Sequence, residues 1–203
     1  MKPGFGSELS NVLLRQSQIV HTRMAGMAVI RVVLRCNEAM ADSNLNLSDC
    51  QLMQVPEAVY HLLRHTTLLS CNLAANNISK ISPKFGTQFS RLTELNLSNN
   101  KLSRLPDEML ECVNLEKLDL GHNTFVDIPQ VVLRFSKLRI LLLNNNFIMD
   151  VDVRQLPEDS PIKEVDLRDN PLMPSCHETL SKVTTVTVTL SPREREEWED
   201  LEI

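Results

Sequence analysis

The chain has 203 residues, 42% hydrophobic and 23% charged, with a formal net charge of −5. That composition suits one folded globular domain with a sizeable core, and aromatics at 4% offer little for base stacking. Residues 193–203 hold six acids and two arginines, so the rest of the chain is nearly neutral, which argues against nucleic acid and anionic membrane surfaces as partners.

Residues 1–26 fit no repeat and carry Pro3, Gly4, Gly6 and Gly26, so a weakly ordered N-terminal extension is expected, with Met24 and Met27 as alternative starts. No secretory leader is expected either, because Arg15 ends the run Val12-Leu13-Leu14 well short of an apolar h-region. Residues 27–44 are expected to form a capping helix and its lead-in. There Val29, Val33, Cys36 and Met40 recur at helical spacing, opposite a polar stripe of Arg31, Arg35, Glu38 and Asp42. The expectation is that the apolar side covers the first repeat and the polar side faces water.

From residue 45 to 190 the sequence repeats. Counted from Asn100, apolar residues stand eight, five and three positions before it and two and five after it: Leu92, Leu95, Leu97, Leu102 and Leu105, followed by Pro106. Asn76, Asn123 and Asn146 carry the same offsets, Asn170 most of them, and Cys50 all but the first, where Asp42 stands. These intervals fit neither a helix face nor a simple strand. They fit a coil in which L-x-L is a short strand, its alternate side chains inward, and the Asn pairs backbone groups that the bend leaves without ladder partners. Cys50, Asn76, Asn100, Asn123, Asn146 and Asn170 are therefore structural turn positions. Val183, Val186 and Val188 begin a degenerate last turn. After it "SPRE" (Ser191 to Glu194) has the form of a capping box, and an acidic helix or tail over 191–203, carrying Trp198 and Leu201, is expected.

The unit L-x-x-L-x-L-x-x-N/C-x-L resembles the leucine-rich repeat. The pairs Leu105-Pro106 and Ile128-Pro129 are similar to the intracellular Ras-suppressor and Scribble type, and "KFGTQFSRLTEL" (Lys84 to Leu95) and "LRDNPL" (Leu167 to Leu172) are similar to a small intracellular member. The resemblance implies an α/β solenoid: a curved parallel sheet of about six or seven short strands with an N-terminal capping helix. It also implies protein binding, no catalytic residues and no cofactor. Secreted members close their ends with paired cysteines. "DNPLMPSC" (Asp169 to Cys176) is similar to the start of such a cap, yet no partner cysteines follow it. The five cysteines Cys36, Cys50, Cys71, Cys112 and Cys176 are scattered and odd in number, as buried hydrophobes in a reducing cytoplasm would be. The sequons at Asn46, Asn77 and Asn96 are by-products of the repeat.

Two constellations could suggest chemistry. His61 and His65 follow Glu57 at four-residue steps, but "HLLRH" lacks the inner glutamate of a zinc protease and a third ligand is missing. Cys176 and His177 are adjacent, a placement that rarely aims a base at a nucleophile. Neither is taken as a site, and no metal is expected.

The expected function is an intracellular interaction module, adaptor or scaffold, binding another protein on the concave sheet face as a monomer. A regulatory subunit of an enzyme such as a phosphatase has the same sequence signature, and a secreted ligand-binding ectodomain is the third reading. Side chains flanking the inward leucines give the face. Ile140 and Leu142 form an apolar pair where other turns are polar, with Glu94, Lys117, Asp119, His122, Glu164, Asp166 and Arg168 as a mostly acidic rim suited to a basic, partly apolar segment.

Overall fold

The computed structural model describes residues 29–156 and 160–192. The expectations for residues 1–26 and for the helix carrying Trp198 and Leu201 lie outside them. Seven three-residue strands form one parallel sheet in sequence order: β1 Asn44–Asn46, β2 Ser70–Asn72, β3 Glu94–Asn96, β4 Lys117–Asp119, β5 Ile140–Leu142, β6 Glu164–Asp166 and β7 Thr187–Thr189. The register is constant, so Leu45, Cys71, Leu95, Leu118, Leu141, Val165 and Val188 stand side by side. Each points into the core, and all but Val188 are fully buried. The strands are this short because only the L-x-L part of each repeat alternates.

The return segments vary. The first two are short α-helices, α2 (Glu57–Leu62) and α3 (Lys84–Gln88), counting the capping helix over 29–42 as α1. The next three are 3₁₀ turns at Asp107–Glu111, Val132–Arg134 and Val153–Gln155, and the last is α4, Pro174–Ser181. Phe85 and Phe89 are buried under α3, where Phe89 meets Phe85 edge-on and stacks on Tyr60. Gly86 lets α3 approach the next return segment: a Cβ there would lie 1.9 Å from the Glu108 carbonyl oxygen.

The asparagines bridge coils. Asn123 donates from Nδ2 to the carbonyls of Leu120 and Gly121 in its own bend and of Leu97 in the coil before, while its Oδ1 accepts from the Leu102 amide. Asn76, Asn100, Asn146 and Asn170 repeat the arrangement one coil at a time. Four of the five are buried outright, so each amide replaces water for backbone groups that water cannot reach.

The capping helix differs from expectation. Its buried residues are Val32, Cys36 and Ala39, whereas Val29 is 64% and Met40 45% exposed. The reason lies in the supposed outer stripe. Cys50 holds the asparagine position of the first coil but lacks an amide. Arg35 Nη1 donates to the Ser48 carbonyl and to Cys50 Sγ, and Arg31 Nη1 to the Asp49 carbonyl. The two arginines face the first bend and turn the helix away from the predicted apolar stripe. At the far end Ser191 occupies the asparagine position of the degenerate turn, and its hydroxyl accepts from the Asp169 amide and donates to the Asp169 carboxylate.

Candidate functional site

Strand alternation sends the outer residues of each three-residue strand to the concave face. Two columns result. The first reads Asn44, Ser70, Glu94, Lys117, Ile140, Glu164 and Thr187, and the second Asn46, Asn72, Asn96, Asp119, Leu142, Asp166 and Thr189. The sheet thus sets Ile140 and Leu142, both half-buried, side by side between Lys117 and Asp119 on one strand and Glu164 and Asp166 on the other.

The second column has a local duty. The side-chain oxygens of Asn46, Asn72, Asn96, Asp119 and Asp166 each accept from the backbone amide two residues onward, the bond that makes an Asx turn. It bends the chain out of the strand. Leu142 stands at this position in the fifth coil and has no acceptor to offer the Asn144 amide.

That duty changes the rim. Asp166 is 5% exposed, and Arg168 grips it with Nε and Nη2 in addition to the amide bond. Burial works against the Asp166 charge, and the Arg168 hydrogen bonds more than offset it, holding the carboxyl below its ordinary range. Asp119 has no such cation in contact among the described residues, and burial pushes its carboxyl up despite the Gly121 amide. His122 lies on the bend with φ of 53°, exposed beside the face rather than on a strand. Neither aspartate is a free steering charge.

A third column, one position earlier than the strands, supplies charges absent from the sequence-based rim. Glu116, Arg139 and Lys163 join Glu94, Lys117, Glu164, Ile140, Thr93 and Thr187 around a shallow cavity of about 560 Å³. Its border carries three carboxylates and three cations. The rim is mixed in sign, not mostly acidic.

The two chemical constellations are dispersed. Glu57 pairs with Lys84 at 2.7 Å, and His65 accepts from Arg64. Cys176 is buried, with its sulfur accepting from the Val151 amide, while His177 Nε2 meets the Ser191 carbonyl. All five cysteines are free and buried; burial raises the Cys36 thiol to about 11 and the Cys112 thiol to about 12, values at which a thiolate nucleophile is scarce. Among the described residues no three His, Cys, Asp or Glu side chains converge as a metal site would require. No described helix is long and apolar enough to cross a membrane.

Comparison with known proteins gives the same architecture. The "Leucine rich repeat" family model matches residues 66–125. Human leucine-rich repeat-containing protein 20 is 38% identical over 88 residues, which is 41% of this chain and 48% of that protein. Adenylate cyclase of Schizosaccharomyces pombe is 37% identical over 82 residues, 39% of this chain but 5% of that enzyme. The chain therefore spans about half the length of the first relative and a small part of the second. An internalin from Listeria monocytogenes superposes with a TM-score of 0.52 at 22% identity, over 73% of this chain and 42% of that one, a likeness of fold alone. Repeats of this kind generally serve as protein–protein interaction modules and their bearers are mostly non-catalytic. Register and coil geometry show an α/β solenoid of stacked repeats, residues 66–125 of which match the leucine-rich-repeat family model, and part of the chain is similar to leucine-rich repeat-containing protein 20.

Proposed function

We propose that the chain is an intracellular adaptor or scaffold that holds a segment of another protein on its concave face, with Ile140 and Leu142 as the anchor. The observation that carries this reading is Leu142. Five coils place a turn-forming acceptor at its position, and the fifth coil gives up that bond to present an aliphatic side chain. Beside it Ile140 interrupts a column whose other members are polar. A partly exposed aliphatic pair with no core to serve is the form of a dry anchor. The mixed rim of Glu94, Glu116, Lys117, Arg139, Lys163 and Glu164 favours a segment that carries both signs of charge around an apolar centre, because like charges placed opposite each other would reject other sequences. The five buried free thiols support a reducing, intracellular setting.

The second strand supplies the control. Replacing Ile140 by Ser and Leu142 by Asn copies the outer residues of β2, Ser70 and Asn72, and restores the turn acceptor. The double variant is expected to lose a partner retained by the unaltered chain in affinity capture, with a melting temperature equal or slightly higher. Retention of every wild-type partner by this variant would refute the concave anchor.

A further inference from the structure

The concave face is not the only surface with apolar side chains turned outward. Three residues past each asparagine position the coil begins its return, and that column along the flank reads Met53, Ser79, Ser103, Val126, Met149 and Met173. In the last three full coils it is apolar and open: Val126 is 60%, Met149 56% and Met173 40% exposed, and Phe147, two residues before Met149, is 56% exposed. Backbone hydrogen bonds from the Phe147 amide to the Phe125 carbonyl and from the Met173 amide to the Met149 carbonyl hold these three coils in contact. The four side chains therefore form one row instead of scattered exposures.

The next column along the flank reads Gln54, Lys80, Arg104, Asp127, Asp150 and Pro174. The exposed apolar row thus runs beside two exposed carboxylates, Asp127 and Asp150. Both border a cavity of about 480 Å³ that opens between the coils next to Val126, with Asp107, Asp152 and a single cation, Arg104, also at its edge. Asp107 and Asp152 each have a cation in contact, Arg134 and Arg154. Asp127 and Asp150 have none among the described residues.

We infer that this flank is a second docking surface, and that its occupant is a basic amphipathic α-helix of another protein. The repeat distance selects the helix. Parallel neighbours in a sheet lie roughly 4.8 Å apart, close to the pitch of roughly 5.4 Å per helical turn. A helix laid across the coils presents one side chain per coil at positions i, i+3 or i+4, and i+7, matching Val126, Met149 and Met173 in turn. Methionine suits such a face because its unbranched, polarizable side chain repacks around anchors of different shape. The charge follows from Asp127 and Asp150: lysine or arginine on one shoulder of the helix reaches two carboxylates that no described cation neutralises, although Asp150 accepts from the Val151 amide, and glutamate there meets like charge. This surface is independent of the concave anchor, since none of its residues lies on a strand.

The test uses the full chain and a fluorescent designed peptide of about 18 residues, long enough for five turns, with leucine at i, i+4 and i+7 and lysine along one shoulder. The methionine methyl signals are read by NMR. The peptide is expected to bind, to shift Met149 and Met173 while leaving Met53 unmoved, and to bind at least about tenfold more weakly when its lysines become glutamates. Phe147→Glu with Met149→Glu should abolish binding, whereas Ile140→Ser with Leu142→Asn should leave it unchanged. Failure of the lysine peptide to bind at millimolar concentration would overturn the proposal, as would equal binding of the glutamate peptide or shifts confined to other methionines. A chain that sediments as a dimer and becomes monomeric on Phe147→Glu with Met149→Glu would overturn it in favour of a second copy on this face.

Discussion

Two columns of amide and carboxyl side chains run the length of the solenoid four residues apart, and they do different work. The inner column is buried from Asn76 to Asn146, half-buried at Asn170, and links each coil to its neighbours through several hydrogen bonds. The outer column, Asn46 to Asp166, sits at the concave edge and bonds within its own bend. The difference is access to water, which the outer side chains have everywhere but at Asp166. A carbonyl under the inner column that loses its donor stays unsatisfied, whereas the half-buried amides of Ser48 and Ala74 under the outer column have solvent as a substitute. This explains why the outer column tolerates Asn, Asp and, once, Leu, while the five inner positions from 76 to 170 are all Asn.

Substitutions can test that contrast from its strongest side to its weakest. Asn123→Ala removes bonds on both sides of a coil boundary and should lower stability by about 3 kcal/mol, the upper range for stranding buried polar groups, read as a lower denaturant midpoint. Arg35→Ala acts at the end of the inner column, where the donor comes from α1, and should cost about 1 kcal/mol as the loss of partly exposed hydrogen bonds. An equal effect of the two would deny that the interior of the column is special. Asn72→Ala, in the outer column, should cost about 0.5 kcal/mol or less, since the half-buried Ala74 amide that Asn72 serves can turn to water. If it matched Asn123→Ala, the distinction between the columns would fail.

The smallest effect has the opposite sign. Asp119→Asn keeps the acceptor for the Gly121 amide and removes a charge that burial disfavours. The folded carboxyl is raised above its unfolded value, so the ionised form costs stability at neutral pH and the cost fades as pH falls through the folded value. The variant should therefore melt about 1–2 °C higher at pH 7, with the advantage shrinking in acid. Asp166 carries the reverse linkage: its lowered carboxyl contributes stability above the ordinary carboxylate range, and that contribution is lost as pH drops through the depressed value. An advantage of Asp119→Asn that grew in acid would contradict the assigned shift.

Most of the fold is legible in the sequence because it is one-dimensional. The offsets around Asn100 give the strand, its inward residue and the bend, and repetition gives the register of Leu95 with Leu118 and Cys71. The orientation of α1 is not legible this way. Its apolar arc is broad, and what selects the buried half is the reach of Arg31 and Arg35 to carbonyls of the first bend, a tertiary contact invisible to periodicity. The candidate site is legible in position but not in charge. Ile140 and Leu142 follow from alternation, but the Asx-turn duty of Asp119 and Asp166 competes with any binding role. Glu116, Arg139 and Lys163 flank the strands one residue outside the columns that alternation selects. The dipeptide Asn96-Leu97 followed by Ser98 already carries the turn signal; an Asx residue two positions before a small or polar residue at a strand end points to it.

The constant register also fixes how the chain finds its structure. Each strand pairs with one 23 to 26 residues away, so every pairing closes a loop of nearly the same length and entropic cost. No contact has to wait for the two ends of the chain to meet, which keeps contact order low and lets order spread from any coil to the next. Opening should run in reverse. Among the described residues β1 and β7 each have a neighbouring strand on one side only, so amide protons there should exchange first, and those of β4, insulated by three strands on either side, should exchange last.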